Sequence, residues 1–151
     1  MIFADTHAHL YAEEFDADRD KVIERALASG ISRLYLPNID SSSIKGMKEL
    51  CKSYPKNCFA MMGLHPCSVN ENFEVELSFV RKELEENKFV GVGEIGIDLY
   101  WDITFFEQQK IAFVRQIEWA NEFDLPIIIH TRNSFEEAFQ IIESFEKRPR
   151  G

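Results

Sequence analysis

His7 and His9 stand one residue apart behind a short apolar run, Met1-Ile2-Phe3-Ala4, with Asp5 just before the pair. If that run is a strand, the alternation of side chains sends Asp5, His7 and His9 to one face. Two neutral imidazoles at a strand end supply half of a metal site, and the aspartate can orient a ring through a hydrogen bond from behind. The plainer alternative is a pair of solvated histidines on an N-terminal strand. The chain has only four histidines, and the other two, His65 and His130, also stand just after or at the end of an apolar run. Glu94 does the same between them. Imidazole with carboxylate suits Zn2+, Mn2+ or Ni2+ and tolerates Mg2+. Two such ions about 3.5–4 Å apart hold the attacking and leaving oxygens of an in-line displacement, and a bridging carboxylate such as Glu94 is the natural spacer. Arg132 offers a planar fork for phosphate charge, and His65 a donor to a non-bridging oxygen. A surface salt bridge for Arg132 and a capped turn before Pro66 for His65 are the structural alternatives.

The elements that must position these side chains alternate strand and helix with little left over. After the first strand, Asp16 or Asp18 can cap a helix burying Val22, Ile23, Ala26 and Leu27, stopped by Gly30. Residues 31–36 read as a second strand closed by Pro37, and Asp40 or Ser41 caps a helix with Ile44, Met47, Cys51 and Tyr54 on one side. Residues 57–62 form a third strand ending at Gly63-Leu64-His65-Pro66, followed by a helix from about Asn72. A fourth strand, residues 89–92, delivers Gly93-Glu94-Ile95-Gly96-Ile97-Asp98. A long helix carrying Phe106, Phe113, Ile117 and Ala120 follows it. Residues 126–129 form a fifth strand, apolar throughout as when both faces are covered, and lead into His130-Thr131-Arg132 and a last helix. Five successive βα units imply a parallel sheet with right-handed crossovers. In a parallel α/β barrel the C-terminal strand ends share one rim, which is where active sites sit. His7, His9, His65, Glu94 and His130 all fall at that rim. Leu34, Leu36, Val90, Val92 and part of the Ile127–Ile129 run are expected to face the barrel interior.

Composition narrows the class. At 151 residues and 45% hydrophobic the chain can bury one real core, so a single domain over 1–151 is expected. No apolar run approaches the ~20 residues of a membrane span. The N-terminus lacks the basic and apolar segments of a secretory signal. Cys51, Cys58 and Cys67 are odd in number and without zinc-ribbon spacing, which suits free thiols in a reducing cytoplasm. A net charge of −9 argues against coating nucleic acid through a broad basic surface. It leaves phosphate chemistry open, because bound metal would be the largest local charge.

Asp5-Thr6-His7-Ala8-His9, Gly63-Leu64-His65-Pro66, Gly93-Glu94-Ile95-Gly96-Ile97-Asp98 and Ile129-His130-Thr131-Arg132 together resemble, in order and spacing, the signatures of the TatD-type metal-dependent hydrolases. The resemblance implies a TIM-type (β/α)8 barrel of the amidohydrolase-like group, of which this chain carries about five βα units. It also implies deoxyribonuclease activity on a DNA substrate. His7, His9, Glu94 and His130 are then metal ligands, with Glu94 bridging two divalent ions. His65 and Arg132 match positions lining a phosphate pocket, and Asp98 and Tyr100 match positions near the site. In the family three further strands contribute another histidine ligand and an aspartate. Such a barrel typically needs about 250 residues, so the chain is expected to be its N-terminal five-eighths. An amidase or esterase on the same barrel is the alternative enzyme, although those often carry a bridging lysine where Glu94 stands. An inactive truncated fragment is the alternative without chemistry.

Overall fold

The computed structural model describes residues 2–151, so Met1 of the first apolar run lies outside the described residues. Strands and helices alternate as β1 (Phe3–Asp5), α1 (Arg19–Ala28), β2 (Ile31–Pro37), α2 (Ile44–Ser53), β3 (Cys58–Met61), α3 (Phe73–Glu86), β4 (Val92–Asp98), α4 (Phe106–Glu122), β5 (Ile127–Arg132) and α5 (Phe135–Glu143). All pairings are parallel and follow chain order: β1 with β2, β2 with β3, β4 with β5. A bridge between Met62 and Val92 joins the two groups, with the Gly93 N–H donating to Met62 O at 2.9 Å. Among the described residues β1 and β5 each pair with one other strand, and the Ile127 N–H of β5 also donates to Arg150 O at 2.6 Å. The sheet is open between them.

Leu34, Leu36 and Val92 are buried against the helices and not turned to the barrel interior as expected. They belong to one apolar cluster with Ile23 of α1, Met47 and Leu50 of α2, Val80 of α3, and Phe113 and Ile117 of α4. Their parity points to the helices, while Arg33 on the other parity is exposed and Tyr35 half-buried. A fully buried Leu, Ile or Phe contributes roughly 1.5–3 kcal/mol, so the helical layer carries most of the stability. Phe3 and Ile129, 49% and 38% exposed, mark the open side, and β5 is therefore not covered on both faces.

The fourth strand differs most from expectation. It runs from Val92 to Asp98, so Glu94 lies inside it rather than beyond its end. Two glycines allow this. A Cβ on Gly93 would stand 2.7 Å from Ile128 Cβ, and one on Gly96, whose φ is +146°, would stand 2.0 Å from His130 O. Only residues without a side chain let β4 come this close to β5 on either side of Glu94. The helix starts also shift. Asp18 holds the N-cap position of α1 without a side-chain cap, and Asp16 pairs with Arg19 at 2.6 Å. Ser43, not Asp40 or Ser41, precedes α2, and its hydroxyl accepts the N–H groups of Ile39 and Asp40.

Candidate metal centre

Glu94 is 6% exposed, and its two carboxylate oxygens face different imidazoles. Oε2 lies 2.9 Å from His7 Nε2 and 3.3 Å from His9 Nε2. Oε1 lies 3.1 Å from His130 Nδ1 and 3.6 Å from His65 Nε2. All five residues singled out at the rim therefore meet in one cluster. Burial pushes the Glu94 carboxyl up, but the imidazoles of His130, His65 and His9 outweigh it and hold the group well below the usual carboxylate range.

For three of the four histidines the outer nitrogen decides what the inner nitrogen can do. Tyr11 O–H donates to Pro37 O at 2.5 Å, so its oxygen accepts from His9 Nδ1 at 2.7 Å. That places the His9 proton on Nδ1 and leaves a lone pair on Nε2, turned toward Glu94. His130 Nε2 lies 2.8 Å from Asp98 Oδ2. A carboxylate only accepts, so His130 donates from Nε2, and in the neutral ring its Nδ1 lone pair faces Glu94. His65 is the reverse case. Its Nδ1 accepts the Cys67 N–H at 3.1 Å, so the neutral ring carries its proton on Nε2, 3.2 Å from His130 Nδ1. His65 thus caps the turn before Pro66 and also presents a donor to the site.

The donor atoms fit a divalent cation. His7 Nε2, His9 Nε2 and Glu94 Oε2 form a triangle with sides of 2.9, 3.1 and 3.3 Å. Ligands about 2.0–2.1 Å from a tetrahedral ion stand roughly 3.3 Å apart. Bare lone pairs at these distances repel unless a cation, proton or metal, sits among them. On the other side Glu94, opposed by burial and helped by Asp98, raises the His130 imidazole from its ordinary value, which is the proton's version of the same demand. Cys67 joins His65 and His130 in a second group of donor atoms, but burial pushes its thiol up to about 11.

Several residues that position the cluster carry no sequence signal that the pattern reading used. Asn38, fully buried, donates its N–H to Gly93 O at 3.0 Å and accepts the Glu94 N–H at 3.1 Å, so it brackets the Gly93–Glu94 peptide. Two buried glutamines seven residues apart on α4 each clasp one backbone amide. Gln116 accepts the Leu64 N–H at 2.7 Å beside His65, and Gln109 accepts the Asp98 N–H at 2.9 Å. A polar pair at that spacing on an otherwise apolar helix face was the available clue. Asp5 does not orient an imidazole as expected, since its Oδ1 accepts the His7 backbone N–H at 3.1 Å. Strand β1 ends at Asp5, so the two histidines meet through this turn and not through strand alternation.

Residues 4–151 match the model of a family described as TatD related DNase. The chain belongs to that family. Among its curated relatives, the TatD-family chain is 37% identical to an uncharacterised metal-dependent hydrolase, YabD, of Bacillus subtilis, over 95% of the chain and 55% of the relative. It is 30% identical to a 3′–5′ ssDNA/RNA exonuclease TatD of Erwinia tasmaniensis, over 92% of the chain and 54% of the relative. The crystal structure of YjjV, a TatD homologue of Escherichia coli, superposes with a TM-score of 0.85 at 30% identity, over 93% of the chain and 55% of that structure. The chain therefore has the TIM-barrel type of fold and carries five of its βα units. It spans about half the length of the relatives it matches.

Tyr11→Phe tests the lone-pair assignment. Removing the hydroxyl frees His9 to carry its proton on Nε2, and affinity for Mn2+ or Zn2+ should fall about 10- to 100-fold. Calorimetric metal titration reads this. Unchanged affinity would show that Tyr11 does not set the His9 tautomer.

Proposed function

We propose that this chain forms the metal-binding part of a hydrolase that cleaves DNA phosphodiester bonds with two divalent ions. The observation that carries the reading is the carboxylate of Glu94, with one oxygen toward His7 and His9 and the other toward His130. His7, His9 and Glu94 would hold one ion, and Glu94 and His130 the second, of Zn2+, Mn2+, Ni2+ or Mg2+. Ions held there would supply Lewis-acid stabilisation of phosphoryl charge and lower the pKa of water. The chain's own residues do the rest. Glu94 fixes the spacing, Asp98 and Tyr11 keep the imidazole lone pairs inward, and His65 Nε2–H and Arg132 donate to phosphate oxygens. Residues 1–151 are read as one domain, the N-terminal part of the barrel. The names of relatives as a ssDNA/RNA exonuclease and, in Danio rerio, a putative deoxyribonuclease support a nucleic-acid substrate. The cysteines are unpaired, which supports a reducing cytoplasm, and among the described residues no helix is long and apolar enough to cross a membrane.

Arg132 lies at the end of β5 with its guanidinium 3.9 Å from the Tyr100 ring centroid, and among the described residues it is in no salt bridge. Arg132→Ala should keep the metal and lower kcat/KM on a DNA strand about 100-fold, with a much smaller loss on a neutral ester. Steady-state assays on both substrates check this. Equal losses would point to a structural role in the β5–α5 loop, and faster turnover of esters or amides than of DNA would favour the amidase reading.

A further inference from the structure

Beyond the cluster, the turn after β4 exposes two large aromatics side by side. Trp101 is 68% exposed and Tyr100 52%, with their rings edge to face at 4.8 Å. The chain exposes other aromatics, Phe135 at 66% among them, but these two adjoin the Asp98–His130 contact. They are also held in place. Asp98 Oδ1 accepts the N–H groups of Tyr100 at 2.9 Å and Trp101 at 3.1 Å, while Oδ2 of the same carboxylate accepts from His130. One aspartate therefore fixes the aromatic turn relative to the cluster. Arg132 braces the pair from the β5 side, 3.9 Å from the Tyr100 centroid and 5.0 Å from that of Trp101. Trp101 also lines a cleft of about 180 Å3 with Pro66, Val69, Phe105, Asp98 and Asp102.

We propose that Tyr100 and Trp101 form a stacking face for the nucleobase adjoining the reacting phosphate. This rests on the nucleic-acid reading above and names the residues that would meet an unpaired base, the strand form printed in the name of the Erwinia tasmaniensis relative. Stacking is the contact this protein needs. With a net charge of −9 it cannot hold a polyanion by a broad basic surface, whereas a base–aromatic contact gains affinity without net charge. Arg132 sits where one guanidinium can brace the ring and reach the neighbouring phosphate. A base locked in a duplex presents only its edges and cannot lie flat on an indole. An unpaired base can, with the Pro66 and Phe105 cleft beside it.

The test uses the full chain loaded with Mn2+ and three probes of equal length: oligothymidylate, the same strand made abasic at every position, and a blunt duplex. Trp101→Ala should raise KM for oligothymidylate about tenfold or more and leave the abasic strand unchanged, with Trp101→Phe recovering most of the loss. In a Trp119→Phe background, which leaves Trp101 as the sole indole, oligothymidylate should quench the fluorescence and the other two probes should not. Quenching without cleavage would leave the stacking face standing while removing the nuclease reading. Cleavage with no quenching, and equal losses on base-bearing and abasic strands, would overturn the stacking face and keep the nuclease reading. Neither quenching nor cleavage would overturn both.

Discussion

Glu94→Gln should leave a folded protein that, on the two-ion reading proposed above, has lost both ions and at least about 1000-fold in turnover. The substitution keeps the shape of the side chain and both backbone bonds to Asn38, so the fold is preserved. It removes the negative charge that faces four imidazoles at 2.9, 3.3, 3.1 and 3.6 Å. A ligand shared by two ions affects both at once, and each ~1.4 kcal/mol lost from the transition state is tenfold in rate. Metal content by mass spectrometry and circular dichroism on the same sample separate loss of metal from loss of fold. A variant that folds and retains two ions would refute Glu94 as the bridge.

The second large effect is expected at Asp98. Its carboxyl is pushed up by burial but held down at about 2 by the Trp101 N–H, His130 and the Tyr100 N–H, so it is ionised at neutral pH. In Asp98→Asn the amide can still accept the two backbone N–H groups on Oδ1. Its NH2 then faces His130 Nε2 and drives the imidazole proton to Nδ1, against Glu94. The wrong tautomer on an otherwise intact site costs about 100-fold or more in kcat, and metal affinity should fall about 10- to 100-fold. Metal titration and single-turnover kinetics measure the two. Full affinity in Asp98→Asn would mean that His130 does not meet metal through Nδ1.

Much of this arrangement is legible in the sequence because it depends on local order. Strand and helix alternation gives the parallel architecture, and the four histidines and Glu94 are placed by their position at the ends of apolar runs. What the pattern does not carry is contact across the fold. Tyr11 acts through Pro37, Asn38 through Gly93, and Gln116 through Leu64 fifty-two residues away. None of these pairings leaves a periodicity. The placement of Glu94 inside β4 was hidden for a different reason. Gly93 and Gly96 interrupt the apolar run as a loop would, yet they are there so that β4 can approach β5. Hydrophobic alternation likewise does not say which face of an open parallel sheet the helices cover, and so it leaves the direction of Leu34 and Leu36 undetermined.

The most direct measurement of the central claim is an anomalous difference map from crystals of the full chain soaked in Mn2+ and recorded at the manganese edge. Two peaks should flank the Glu94 carboxylate, one against Oε2 with His7 and His9 and one against Oε1 with His130. Peaks elsewhere, with nothing bound at either oxygen of Glu94, would contradict the account.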